Sequence, residues 1–226
     1  MAVEYCVVSI GTLSHNPLWG ERAGVRTAHA TTTLVRDGER MILVDPSLPA
    51  PALEAHLFER TGKLFADITD VFCTTLRPVH RRSIAAMDKA RWWASQAELE
   101  THRQYIEAVS DSAHRLEADE EQDAQADLAL IERFSPAPDR FGEQVHIYPL
   151  VGPSLGSAGL LLTPQTTSVV IAGDAALTAE HVLAGRVWEG SADTKVAGSS
   201  LQDILEVADV IIPGHDNLMI SPRQWF

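Results

Sequence analysis

Cationic side chains are scarce in this chain. Eighteen lysines and arginines stand against 31 acidic residues, a formal net charge of −13 over 226 residues. That balance argues against non-specific attraction to nucleic acid or to an anionic membrane. The one tight arginine cluster, Arg77, Arg81 and Arg82, is too small to reverse it. Cysteine is nearly absent as well. Cys6 and Cys73 give neither a metal-ligand spacing nor a disulfide framework, and both fall in apolar, strand-like runs where a reduced thiol behaves as a small hydrophobe. No apolar run approaches the ~20 residues of a membrane span. Met1-Ala2-Val3-Glu4 lacks the basic stretch of a secretory leader, so a cytoplasmic location is expected. The chain has no Gly-x-Ser-x-Gly elbow and no glycine-rich phosphate loop, which leaves serine-hydrolase and nucleotide-binding chemistry without support. No period of the length used by repeat proteins recurs.

What is present is an alternation of short apolar runs and helical patterns. The 45% hydrophobic content and the length suit one globular domain over residues 1–226. Tyr5 to Ile10 reads as a first strand. Ala30 to Val35 and Arg40 to Val44 flank Asp37-Gly38, a short-range hairpin signal. A helix follows from about Pro51 to Arg60, with Gly62 placed to stop it, and then a strand from Ile68 to Cys73. Ser83 to Trp93 reads as a helix entering a buried segment, although Arg91 to Ser95 also suits a short strand because aromatics favour a pleated surface. Gln96 to about Leu116 carries apolar residues at helical spacing: Leu99, Ile106, Val109, Ala113 and Leu116. The helical segment extends to about residue 133. Its acidic part, Glu117 to Asp127, reads as a solvated face or a mobile connection, and Ser135-Pro136-Ala137-Pro138 ends the region. Strands return at Val145 to Leu150, Gly159 to Leu162, Ser168 to Ala172 and Val210 to Ile212. Helices are expected near Ala179 to Ala184 and Ser200 to Val207.

Five of the apolar runs end in residues able to do chemistry. Met41-Ile42-Leu43-Val44 leads to Asp45, and Val71-Phe72-Cys73 leads to Thr74-Thr75-Leu76-Arg77-Pro78-Val79-His80. Leu150 precedes Val151-Gly152-Pro153-Ser154. Val169-Val170-Ile171-Ala172-Gly173 ends at Asp174, and Val210-Ile211-Ile212-Pro213-Gly214 ends at His215. Ligand sites favour such positions, since strand ends are rigid while loops vary.

In order and spacing, these five stretches resemble the signature series of the metallo-β-lactamase superfamily, from Thr31 to Asp216. The resemblance implies an α/β fold, a four-layer αββα sandwich with two mixed sheets face to face and helices outside. In that family the first loop reads Thr-His-x-His-x-Asp-His, and working members hold two metals, commonly zinc. Here the first histidine falls on Thr75, the second on Arg77, the aspartate on Val79 and the last histidine on His80. The histidine of the second loop falls on Pro153. Threonine is a poor zinc donor, proline has no side-chain donor and guanidinium is a permanent cation. The first metal site is therefore expected to be lost. His80, Asp174 and His215 match three ligands of the second site and suit a single ion of zinc, manganese or iron, or none.

Arg77 stands where a ligand would project. It is expected either to oppose a divalent ion or to replace its charge by pairing with Asp174. Asp45 is expected to orient a ligand, with a turn-capping role as the plain alternative. His29 is a further candidate for the cleft. His56, His102, His114 and His181 fall on helical segments and are expected at the surface.

Three functions fit these residues. One is a single-metal hydrolase of a small ester, lactone or thioester, with His80, Asp174 and His215 at the reacting centre and Arg77 and His29 against the substrate. Another is a non-catalytic descendant whose cleft binds a small anionic molecule or a protein partner through Arg77. The third is metal-free catalysis with His80 or His215 as general base and Arg77 as electrophile. A small-molecule substrate or ligand is expected, or a protein partner in the second case, and neither nucleic acid nor membrane.

Overall fold

The computed structural model describes residues 2–111 and 118–222. Two mixed β-sheets pack face to face with helices on both outer faces. The first sheet holds β1 (Glu4–Ser9), β2 (Thr32–Asp37), β3 (Arg40–Val44), β4 (Asp70–Phe72), β5 (Arg91–Ala94) and β6 (Phe134–Pro136), in that spatial order. Its first three strands are antiparallel neighbours and its last four run parallel to one another. The second sheet holds β7 (Val145–Pro149), β8 (Ala158–Leu162), β9 (Val169–Gly173), β10 (Val210–Pro213) and β11 (Met219–Ile220), in the order β11-β10-β9-β8-β7. Among its pairs only β9 and β10 are parallel.

The strands are apolar on both faces because both faces are covered, and the period of two sorts their side chains between cores. Val35, Ile42, Val44 and Phe72 point into the layer between the sheets. There they meet Val145, Leu160, Leu162, Val169, Ile171 and Ile212. Their neighbours Leu34, Leu43 and Val71 point outward, onto α1 (Ala50–Thr61), α2 (Gln96–Asp111) and α3 (Ala118–Ile131), packing with Leu53, Leu57, Leu99, Ile106 and Ile131. On the far side, Val170, Ala172 and Ile211 pack against α4 (Ala179–Leu183) and α5 (Thr194–Val207) through Val182, Leu201 and Ile204.

Local chemistry sets the element ends. Gly38 takes φ +62° in the hairpin, and the N–H of Gly62 closes α1 on the Phe58 carbonyl at 2.8 Å. Asp193 caps α5 by accepting from the N–H groups of Lys195 and Val196. The helix thus begins six residues before the expected Ser200, through Gly198, Ser199 and Ser200, because Ala197, Leu201 and Ile204 bury a continuous apolar face. The helix expected over Ser83 to Trp93 does not form. A 3₁₀ turn at Ile84–Ala86 leads instead into β5. Trp92 and Trp93 go to opposite faces there, against Phe134 and Phe141 respectively, which only a period of two allows. The segment expected only to end the helical region contains β6, where Pro136 is tolerated at a sheet edge. For α2, the expected extension to Leu116 lies outside the described residues. Cys73 is buried as expected, whereas Cys6 is only half-buried.

Glu117 of the acidic run lies outside the described residues, and at the other end of the run Asp127 is held by partners rather than simply solvated. Asp127 on α3 accepts from Arg81 Nη2 and faces His102 Nε2 of α2 at 3.1 Å. Arg81 also donates Nε to the Leu76 carbonyl, so one carboxylate ties both outer helices to the loop after β4.

Two predictions follow from this packing. Phe72 is fully buried between the sheets and edge-on to Phe141. Phe72→Ala should therefore lower the unfolding free energy by about 3–5 kcal/mol in a denaturant titration. Burial alone would raise the Asp127 carboxyl, but its hydrogen bond to His102 and the Arg81 charge outweigh that and hold it below its ordinary 3.8. Stability from this group is complete above the ordinary value and is lost as pH falls through the depressed one. With a quarter of the side chain exposed, Asp127→Asn should cost at most about 1 kcal/mol at neutral pH. The gap between wild type and variant should close on acidification; a gap independent of pH would contradict the pairing.

Candidate metal centre and its cavity

β3, β4, β9 and β10 end at the same rim, each delivering residues to one hollow between the sheets. The rim is drawn tight by backbone contacts across sheets. The Ala158 N–H donates to the Thr74 carbonyl at 3.1 Å, and the Thr31 N–H to the Gly214 carbonyl at 2.7 Å. Gly173, at φ +53°, is required on two counts: the backbone angle, and a Cβ that would stand 2.4 Å from Thr74 Oγ1. Its smallness brings the end of β9 against the loop after β4 and seats Asp174 beside His80.

Asp45 is the only non-glycine residue at positive φ among the described residues, at 51°. Aspartate tolerates that conformation better than most side chains, and its contacts explain why it is held there. Oδ1 accepts from the Thr74 N–H at 2.8 Å, and Oδ2 accepts from the Thr74 hydroxyl at 2.7 Å and faces His80 Nδ1 at 3.0 Å. The carboxylate fixes both the loop and the imidazole.

The tautomers follow from the partners. Nδ1 of His80 faces the Asp45 carboxylate, and Nδ1 of His215 faces the carbonyls of His29 and Thr12 at 2.9 and 3.2 Å. Those groups only accept, so each Nδ1 must carry a proton and donate it. Nε2 of each ring then points at Asp174 Oδ1, at 3.2 Å in both cases. Three acceptor atoms therefore converge, all within 4.8 Å of one another, and such convergence demands a cation. In the metal-free protein a proton on His80 meets the need. Burial pulls this imidazole down, but the charges of Asp174 and Asp45 together outweigh it and raise the pKa to about 10. Burial likewise raises Asp174, and the His80 charge with the contacts of both imidazoles outweighs it and holds the carboxyl well below the ordinary carboxylate range. A divalent ion fits the same three atoms. Ligands at about 2.0–2.2 Å from a tetrahedral ion stand roughly 3.3–3.6 Å apart, close to the 3.2 Å of the two pairs that Asp174 makes, and two imidazoles with one carboxylate suit zinc, manganese or iron.

Arg77 approaches the same carboxylate from the other side. Its Nη1 donates to Asp174 Oδ2 at 2.8 Å and its Nη2 to the Pro153 carbonyl. The guanidinium is thus shared between two acceptors rather than forked onto the carboxylate alone. Its face lies 4.1 Å from the Trp188 ring centroid. Thr75 turns away from the hollow and donates to Glu98 Oε1 at 2.8 Å, which also accepts from the Leu76 N–H at 2.8 Å. Ser154 donates to the other oxygen of Glu98. This carboxylate, buried at the start of α2, clamps the first loop to the second, and a side chain at Gly156 would collide with its backbone.

Arg77, Asp174 and His215 form part of the wall of a cavity of about 400 Å³. Leu13, Leu18, Leu177, Val187 and Trp188 give that wall a mainly apolar character, and His15, His181, Arg186 and Glu189 add polar groups. His80 and Asp45 lie behind, nearly inaccessible. His29 contributes its backbone rather than its ring. Its carbonyl accepts from His215, while its Nε2 contacts the Ile10 carbonyl at 3.0 Å and its side chain is not in the cavity wall. Two histidines expected at the surface are drawn inward: His102 by Asp127, and His181, which is only 5% exposed. His114 lies outside the described residues. Glu98, His181 and Trp188 were not legible as site residues from local sequence.

No protein-family model and no curated protein sequence matches the chain. Solved structures do. A metallo-β-lactamase-like protein of Thermotoga maritima superposes with a TM-score of 0.71 at 15% identity, over 97% of this chain and all of the other. A variant of AiiA from B. thuringiensis, with N-decanoyl-L-homoserine bound at its active site, gives 0.65 at 18% identity, over 96% of this chain and 94% of the other. AidC, a dizinc quorum-quenching lactonase in complex with its product, gives 0.61 at 17% identity, over 78% of this chain and 67% of the other. The chain has the metallo-β-lactamase fold.

Proposed function

We propose that this protein is a hydrolase of a small ester, lactone or thioester, working with one divalent ion held by His80, Asp174 and His215 and with Arg77 in the place of a second. The observation that carries the proposal is the division of Asp174. Arg77 takes Oδ2, while both imidazoles face Oδ1. The guanidinium therefore leaves the three-atom cluster whole. Thr75 is committed to Glu98, and position 153 offers only a carbonyl, already held by Arg77. An ion in the cluster would supply Lewis acidity toward a carbonyl oxygen and acidify water.

The remaining work belongs to the chain. Two of the five guanidinium donors of Arg77 are engaged, which leaves the rest of the fork for a carbonyl oxygen as negative charge develops on it. Trp188 covers the guanidinium face and excludes water, strengthening that interaction. Asp45 holds the His80 tautomer, and the His29 and Thr12 carbonyls hold that of His215. The apolar wall receives the organic part of the substrate. The lactonases of the same fold support the substrate class. A second reading, a non-catalytic binder of a small anion, is supported by the same Arg77, whose charge already neutralises much of Asp174.

Metal content by mass spectrometry, together with turnover of a panel of aryl esters, lactones and thioesters, tests the proposal. Protein purified without chelator should hold roughly one ion per chain, and His215→Ala should lose both ion and turnover. Arg77→Met should keep the ion but reduce kcat about 10²-fold, the usual loss for one oxyanion donor. Two ions per chain would contradict the substitution of Arg77 for a metal. A folded protein with no ion and no turnover would favour the binder.

A further inference from the structure

His181 sits where the cavity wall turns from the apolar side to the polar mouth. It belongs to α4, whose first turn is capped by Thr178, with the His181 N–H directed at the Thr178 hydroxyl oxygen at 3.4 Å. The same oxygen lies 2.8 Å from His181 Nδ1 and 2.8 Å from a carboxylate oxygen of Glu180. A hydroxyl has one proton, and an ionised carboxylate can only accept it. The Thr178 proton therefore goes to Glu180, and Nδ1 must donate to Thr178. This fixes the tautomer: Nε2 of the neutral ring is an acceptor.

The ring stays neutral at pH 7. Burial disfavours its charged form, and the nearby Arg186 guanidinium adds to the effect, so its pKa lies below the ordinary 6.5 despite Glu180 and Glu189. His181 is 95% buried by its fractional exposure of 5% and lines the cavity. Its Nε2 has no hydrogen-bond partner among the described residues. The nitrogen is not sealed into the interior, as the unpartnered Ser9, Thr33 and Ser221 hydroxyls are, so from the cavity wall it can be reached by a donor that enters in place of water. Around it, Leu177 and Val187 have no donor, the Trp188 indole N–H makes no hydrogen bond to it, and Arg186 donates to Glu189 instead.

We infer that His181 is a specificity-determining residue whose Nε2 accepts a hydrogen bond from a hydroxyl or N–H on the ligand, so that the cavity selects molecules carrying such a donor beside the group hydrolysed. The ester or lactone part of this statement rests on the proposed hydrolase function; the acceptor part does not. Arg77 and the cation centre receive the carbonyl end, and His181 reads a neutral donor farther along an otherwise apolar body. The assignment also explains why Thr178 and Glu180 are spent on one ring: together they prevent Nε2 from carrying the proton.

Matched γ-butyrolactones test it, bearing a hydroxyl at the α or β carbon, each against its O-methyl counterpart. Wild-type protein with zinc should show a KM about tenfold lower for at least one hydroxyl member than for its methyl ether, the effect of one neutral hydrogen bond. His181→Phe should abolish that difference by raising KM for the hydroxyl member to that of its methyl ether. His181→Gln, whose amide oxygen can accept, should restore part of it. Nitrogen NMR of the ring should show Nε2 unprotonated at pH 7 in the unliganded wild type, independently of turnover. Calorimetric binding of the same pairs separates the two claims. Discrimination in binding without turnover would sink the hydrolase reading alone. Equal behaviour of every pair in wild type and His181→Phe, or a protonated Nε2, would overturn the role of His181.

Discussion

The site depends on one carboxylate being divided. Asp174 gives Oδ2 to a permanent cation and Oδ1 to two imidazole nitrogens. A buried carboxylate in this position would be prohibitively costly without compensation. Arg77 compensates it from the cavity side, at the surface of the hollow, while His80 and His215 compensate it from within the rim. Because the two sources of positive charge meet different oxygens, they do not compete for the same place. That geometry makes an arginine compatible with an ion, where charge counting alone would set the two against each other.

The rest of the rim serves to hold this arrangement. Asp45 accepts a strained backbone angle in return for three contacts that fix Thr74 and His80. Gly173 lets the two sheets approach closely enough for Asp174 to reach His80. Glu98 draws in the side chain of Thr75 and the hydroxyl of Ser154, so that the two loops bearing them close on each other. Trp188 and Pro153 then cradle the guanidinium. The helices outside the sheets are coupled to the same loop through Arg81 and Asp127. A change at Asp45, Trp188 or Pro153 reaches Asp174 through two contacts, by way of His80 or Arg77, whereas Glu98, Arg81 and Asp127 act on it through the loop after β4.

Much of this was written locally. The apolar runs ending in Asp45, Asp174 and His215 specify strands, and their order and spacing carried the resemblance that implied the sandwich and a shared rim. Where residues have two plausible periods, local pattern failed. Arg91-Trp92-Trp93-Ala94 suits a helix as well as a strand until Phe134 and Phe141 take opposite faces of it. Glu98 looks like any acidic residue in a first helical turn, and its burial depends on Gly156 approaching from a distant loop. His181 follows a capping threonine at helical spacing, which signals a helix start but not that the ring will face a cavity. His29 shows the converse: its nearness to the site could be anticipated, but not that its carbonyl, rather than its ring, does the work.

Zinc anomalous diffraction from crystals of the zinc-loaded protein addresses the centre most directly. A single peak among His80, Asp174 and His215, with the Arg77 guanidinium still on the far oxygen of Asp174, is the predicted result. Two peaks with Arg77 displaced to solvent, or Arg77 swung across the cluster with no peak at all, would contradict the division of Asp174 on which the account rests.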